Sequence, residues 1–150
     1  MKLTTVISED EEIVIKCKAR TGKIIDIEAA IQGILRGGGE LSLYLGDREF
    51  LISKSDILFF QTEGKKVFAH TATGMYQAKY KLFELEDLLP SCFLRISKST
   101  IANVSLISSI RRELTGNGEI TFSGCGKKTY FSRSYYGLLR NKIDETRLKK

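Results

Sequence analysis

The sequence has no tryptophan, one proline (Pro90), one histidine (His70) and three cysteines among its 150 residues. Each scarcity removes a class of chemistry. With no second histidine, and no cysteine or acid at ligand spacing, His70 is a poor metal ligand. It leaves no partner set for Ser-His or Cys-His catalysis and reads as an ordinary strand residue. Cys17, Cys92 and Cys125 are odd in number and far apart, so they give neither a disulfide framework nor metal spacing. They read as small apolar residues of a reduced protein. No apolar run is long enough to span a bilayer, and no basic-then-apolar leader opens the chain, so a cytoplasmic protein is expected. The run Gly37-Gly38-Gly39 lacks the lysine of a phosphate-cradling loop and reads as a connector. There is no nucleophile–base pair, and no internal repeat or low-complexity segment. An enzyme, a cofactor and a small-molecule substrate are therefore not expected.

What the chain has is positive charge in one place. Residues 1–50 carry seven basic against nine acidic side chains, residues 51–90 carry five of each, and residues 91–150 carry twelve against four. The whole excess of +6 thus comes from the last 60 residues. A basic segment on a near-neutral remainder favours a polyanionic partner, nucleic acid or an anionic membrane surface.

Periodicity gives the scaffold. Ile13, Ile15 and Cys17 alternate with polar residues and predict a strand. The acidic cluster Glu9-Asp10-Glu11-Glu12 before them reads as a solvated turn. Ile24, Ile27, Ile31, Ile34 and Leu35 recur at helical spacing, with Thr21 as the cap and Asp26 and Glu28 in the first turn. Strands follow: Leu41 to Leu45, a Gly46-Asp47 turn, a return through Phe50 and Ile52, and a dense apolar strand from Asp56 to Gln61 covered on both faces. Val67 to Thr71 and Met75 to Ala78 are two more. A second helix is expected from Lys81 to Leu89, striped by Leu82, Leu85, Leu88 and Leu89 and closed by Pro90. Thr115-Gly116-Asn117-Gly118 marks a hairpin. Past Tyr135 and Tyr136 come an apolar Leu138-Leu139 stretch and a charged tail.

The segment Phe93–Val104 organises the rest. It starts as a half-buried strand, with Leu94 and Ile96 inward and Arg95 and Ser97 outward. It then breaks into Ser97-Lys98-Ser99-Thr100 before apolar spacing resumes at Ile101 and Val104. Hydroxyls and one lysine on a rigid frame suit phosphate oxygens and base edges, although a solvated turn has the same composition. Asn103, between anchors, is expected to cap the backbone locally. Similar basic turns recur at Lys65-Lys66, Lys127-Lys128 and Ser132-Arg133-Ser134, each flanked by strand-like sequence.

From about Ile52 to Ile143 the chain resembles the LytTR DNA-binding domain of bacterial transcriptional regulators. The resemblance is carried by Asp56-Ile57-Leu58-Phe59-Phe60, Gly64-Lys65-Lys66-Val67, the leucine-rich helix ending at Pro90, Phe93 to Val104, and Phe131-Ser132-Arg133-Ser134-Tyr135, in that order. It implies a mainly β core with a short helix, here preceded by a small α+β segment. Loops of that core enter successive major grooves of duplex DNA, usually at direct repeats, and bend the duplex. The family's base-reading positions fall on Lys65, Lys98 and Arg133, with Ser97 and Ser99 beside Lys98. Many members carry histidine and then arginine or asparagine where this chain has Ser97-Lys98, and an aromatic where it has Thr100, so the operator sequence does not transfer. The resemblance is to stand-alone regulators without a receiver domain, whose members often work with a co-encoded small membrane protein.

The expectation is a homodimeric regulator that binds double-stranded DNA. A small α+β extension over 1–45, a dimer or partner interface, precedes the DNA-binding domain over 46–143 and the tail over 144–150. Lys98 and Arg133 read base edges with Ser97, Ser99, Ser132 and Ser134 beside them. Lys65 reads or positions, and Lys66, Lys127 and Lys128 meet phosphates. Two alternatives stand beside this. The first 45 residues, acidic on balance and followed by the glycine connector, suit an interaction or sensory module. Aromatics such as Phe59, Phe60, Tyr130 and Tyr135 suit an RNA-binding β module, if they are exposed.

Overall fold

The computed structural model describes residues 1–9, 12–35 and 38–148, Leu148 by its backbone alone. The chain divides into two compact units, Met1–Gln32 and Gly33–Lys150. In the first unit, α1 (Gly22–Leu35) begins, with the Thr21 carbonyl accepting the Ile25 N–H at 3.0 Å. The helix starts earlier than its apolar spacing suggests, so its first turn holds no acid. Glu28 pairs instead with Arg20 at 2.8 Å. The strand expected through Ile13, Ile15 and Cys17 is not formed, and Ile13 and Cys17 are exposed. Alternation makes a strand only where a neighbour supplies ladder bonds, and none of the described residues before α1 has one. Asp10 and Glu11 of the acidic cluster, Gly37 of the connector and Lys149-Lys150 of the tail lie outside the described residues. Gly38 and Gly39 both take φ near +84°, and the Gly38 N–H returns to the Gly33 carbonyl at 3.1 Å, a glycine-stopped helix end.

The second unit is built on seven antiparallel strands: β1 (Glu40–Leu45), β2 (Arg48–Ser53), β3 (Ile57–Glu63), β4 (Lys66–Thr71), β5 (Met75–Ala78), β6 (Phe93–Ser97) and β7 (Thr100–Asn103). Their order across the sheet is β2-β1-β5-β4-β3-β7-β6. A second sheet, in the order β10-β9-β8, is made by β8 (Ile107–Arg112), β9 (Gly118–Phe122) and β10 (Lys128–Phe131). One face of the large sheet packs Leu41, Leu43, Ile57, Phe60 and Ile101 with Leu82 and Leu85 of α2 (Leu82–Leu88). The opposite face packs Leu58, Phe59, Ile96 and Ala102 against Ile107, Ile120, Phe122 and Phe131 of the small sheet, with Leu139 and Ile143 of α3 (Tyr136–Leu148).

β3 serves both cores, as its unbroken apolar run predicts. Strict alternation would split its four core residues two and two, with neighbours on opposite faces. A bulge between Ile57 and Phe59 instead turns Leu58 and Phe59 to the same core. α3 is the element that the sequence reading left out, placing a charged tail where the helix runs. Leu139 and Ile143 meet the core at i,i+4 spacing, while Leu138 points to solvent, so the apolar pair that looked like a stretch is split between faces. Near the helix end the Arg147 guanidinium donates to the Ile107 carbonyl. No helix among the described residues is long and apolar enough to cross a membrane.

Candidate nucleic-acid interface

Antiparallel pairing decides which turns share an end of the sheet. β3 and β4 are joined by Gly64-Lys65, a two-residue hairpin in which Gly64 takes φ +64°, a conformation that suits glycine. Lys65 and Lys66 are exposed there. Gln61 near the end of β3 pairs with Thr100 at the start of β7, so the β6–β7 turn comes to the same end. The Thr62 N–H closes the link by donating to the Ser99 carbonyl at 2.9 Å.

The Ser97-Lys98-Ser99 turn is shaped by its own hydroxyls and by Arg95. The Ser99 N–H donates to Ser97 Oγ at 3.2 Å, and the two hydroxyls lie 3.4 Å apart. Arg95 Nε donates to the Ser97 carbonyl at 2.9 Å, Nη2 donates to the Lys98 carbonyl at 2.5 Å, and Nη1 reaches Glu86 at 3.2 Å. The carbonyls are therefore occupied while the Lys98 side chain is exposed. Thr100, grouped with the turn on sequence grounds, is buried in β7 instead. Asn103 does cap locally. Its Oδ1 accepts from the Ser105 N–H at 3.2 Å, and its Nδ2 donates to the Ile57 carbonyl at 3.1 Å.

The third basic segment arrives from the other sheet. After β10 the Ser132 N–H donates to the Ile96 carbonyl at 2.9 Å, one residue before the Ser97 turn. A single turn of 3-10 helix over Arg133–Tyr135 follows. The Arg133 N–H donates to Asn117 Oδ1 at 2.8 Å, and the stem of Arg133 lies across Gly116, where a Cβ would come within 2.8 Å of it. Lys65-Lys66, Ser97–Ser99 and Ser132–Ser134 are thus brought to one end of the molecule's second unit by backbone bonds.

Lys127 and Lys128 are not brought there. Lys128 opens β10 and Lys127 precedes it, so about 13 Å of strand separates Lys128 from Ser132. The Lys127 ammonium donates to the Gly74 carbonyl at 2.8 Å, in the turn at the far end of β4 from Lys66. Beside it His70 stacks on Phe59, with ring centroids 4.2 Å apart, and its Nε2 is buried without a hydrogen-bond partner. Burial and the Lys127 charge pull the imidazole pKa down to about 4, so it is neutral near pH 7. That is the ordinary strand residue expected. Phe59 and Phe60 are buried, which removes two of the aromatics an RNA platform would need. Among the described residues no group of histidine, cysteine and acid could hold a metal, and the three cysteines are unpaired.

Sequence reasoning missed Arg95, Asn117 and Lys81. Arg95 was placed outward by alternation, and only its two-residue spacing from Ser97 hinted that it could reach back. Asn117 read as a turn residue alone. Lys81 lies at the rim of an open depression of about 260 Å³, whose lining also includes Lys65, Arg95 and Lys98; nothing local in sequence connects it with those residues.

The strand-built core matches known proteins. The family model of the LytTr DNA-binding domain matches residues 47–144. A solved LytTr DNA-binding domain from Bacillus cereus has the same fold, with a TM-score of 0.65 at 24% identity over 70% of this chain and 96% of that one. An uncharacterized HTH-type transcriptional regulator of Staphylococcus aureus strain NCTC 8325 is 30% identical over 154 aligned residues, covering 95% of this chain and 98% of the relative. One from strain MRSA252 is 32% identical over 127 residues, covering 77% and 80%. The chain belongs to the LytTR DNA-binding domain family, and DNA-binding transcription regulation is the function that membership supports.

Proposed function

We propose that this chain is a sequence-specific duplex-DNA-binding regulator that inserts its basic turns into successive major grooves, at direct repeats, as a homodimer in the cytoplasm. The observation that carries this reading is the bonding of three separate basic turns to one end of the second unit, through Thr62 to Ser99 and through Ser132 to Ile96. Arg133 and Lys98 would donate to base edges, Lys65 would read or position, and Lys66 would meet phosphates, with the serines as short donors beside them. Lys127 and Lys128 stay outside this set, because they lie at the other end of β10. The reading element is a set of turns between strands, whereas the names of the staphylococcal relatives refer to a helix-turn-helix. The fold supports the former here.

A gel-shift on the DNA upstream of the protein's own gene tests the reading. Neutralising about five phosphates gives an affinity that falls with salt with a log–log slope near −4.5. A slope near zero, or equal affinity for a scrambled duplex, would sink specific binding.

A second reading is favoured by the separateness of the first 32 residues and by their exposed Leu3, Val6, Ile7, Ile13 and Val14. This segment would serve as a dimer or partner interface, the partner including a small co-encoded membrane protein. Deleting residues 1–32 and measuring oligomeric state and promoter binding decides between them. If both survive unchanged, the segment is not the dimer interface and the partner role gains.

A further inference from the structure

The depression beside the Lys98 turn has a use that neither the base-reading roles nor the charge count assigns. Its lining brings Lys65 from the β3–β4 hairpin, Lys98 from the β6–β7 turn, Arg95 from β6 and Lys81 from the chain just before α2 together with Thr62, Val67, Leu82 and Phe83. Four cations from four segments line one concavity. Two acids on α2 are already engaged, Glu86 with Arg95 and Glu84 through Oε1 with the Lys81 N–H at 3.0 Å, while Glu63 stands exposed at the end of β3. That second bond fixes the backbone from which Lys81 projects. The short α2 contributes no more than this anchor; the positive charge belongs to side chains. Arg95 is committed to the Ser97 and Lys98 carbonyls, which leaves Lys65, Lys81 and Lys98 as the amines that can take a ligand. A lysine is a compact point charge with three rotatable donors, suited to a tetrahedral oxyanion.

We propose that this depression seats a backbone phosphate of the bound duplex, held by Lys81 together with Lys65, and that Lys81 is a DNA-binding residue. This rests on the duplex-DNA reading above and deepens it. The seat fixes the register of the strand against the reading turn, and base discrimination stays with Lys98, Arg133 and the hydroxyls beside them. Lys81 then contributes to affinity without contributing to sequence choice.

The test uses the full chain and two fluorescein-labelled 30-base-pair duplexes, one tiled from the DNA upstream of its own gene and one scrambled to the same composition. Anisotropy titrations run across a salt series. Lys81→Gln is expected to weaken both duplexes by the same factor, roughly fivefold, and to make the log–log salt slope less negative by about 0.9. Lys81→Arg restores both. Thermal unfolding of Lys81→Gln at the wild-type midpoint shows that the loss is not one of folding, and a lowered midpoint with no change of slope would assign Lys81 a structural role and overturn the proposal. So would unchanged affinity and slope, or a loss confined to the specific duplex. If the wild type binds neither duplex, the DNA reading itself falls, an outcome distinct from the failure of Lys81 alone.

Discussion

The turns at Lys98 and Lys127 look alike in sequence, and the structure uses them in opposite ways. Each is a tight basic turn between antiparallel strands. At the first, an arginine from the preceding strand satisfies the turn's carbonyls, and the lysine is left to solvent. At the second, the lysine itself is the donor, spent on the Gly74 carbonyl of a distant turn. A cation that closes a fold is not available to a ligand. Counting charges along a sequence locates a basic region, but the partner that relieves each lysine of structural duty decides which of them can bind.

The comparison is broken most directly by exchanging the two outcomes. Arg133→Ala and Lys98→Ala are each expected to cost roughly 1–3 kcal/mol of specific promoter affinity while leaving the melting temperature in place. Calorimetry and gel-shift together check this; equal losses in stability and binding would mean that these side chains also hold the fold. Arg95→Lys keeps the charge but cannot serve two carbonyls and Glu86 with a planar fork. It should weaken promoter binding by about 1–2 kcal/mol, and loosened amide protection at Ser99 in hydrogen exchange would trace the loss to the turn. Lys127→Met should do the reverse of Lys98→Ala, lowering unfolding free energy by about 0.5–1.5 kcal/mol in a denaturant titration with promoter affinity unchanged. Weakened DNA binding by Lys127→Met at normal stability would erase the distinction between the turns.

The smallest effect concerns His70. Its folded pKa lies below that of the unfolded chain, so the unfolded state takes up the proton first as pH falls. The stability tied to neutral His70 is complete above about pH 6.5 and declines as the pH drops towards about 4. The ring is partly solvated, which makes the decline shallow. Melting curves of wild type and His70→Leu should diverge only in that window, and parallel curves throughout it would remove the histidine from account.

Much of the fold was legible. The alternation of Leu41, Leu43 and Leu45, the four apolar residues of β3 and the glycine turns at Gly46 and Gly64 carry local signals that the sheet merely completes. The Leu82–Leu85 helix and its proline stop did the same. What failed depended on distant partners. Ile13, Ile15 and Cys17 alternate well enough for a strand but have no neighbouring strand to bond. Leu139 and Ile143 were hidden among charges because neighbouring Leu138 faces solvent and charged residues fill much of α3. At the candidate interface, Lys65, Lys98 and Arg133 could be named from composition and resemblance, because glycine, serine and basic residues cluster around them. Lys81 and Arg95 could not. Their significance lies in which turns the antiparallel pairing of β3, β7 and β6 carries to one end, and that is a property of register rather than of neighbours.

The bond from Ser132 to the Ile96 carbonyl has one more consequence. Ile96 is fully buried, so the peptide that holds the Arg133 segment is also set in the core, and the segment sits one residue from the Lys98 turn. On the duplex-DNA reading proposed above, the two cations would serve as the fixed jaws of a caliper. A duplex whose grooves do not match that gauge would have to bend or twist to fit, and the cost of a poor site would be written in the stiffness of base steps the protein never touches.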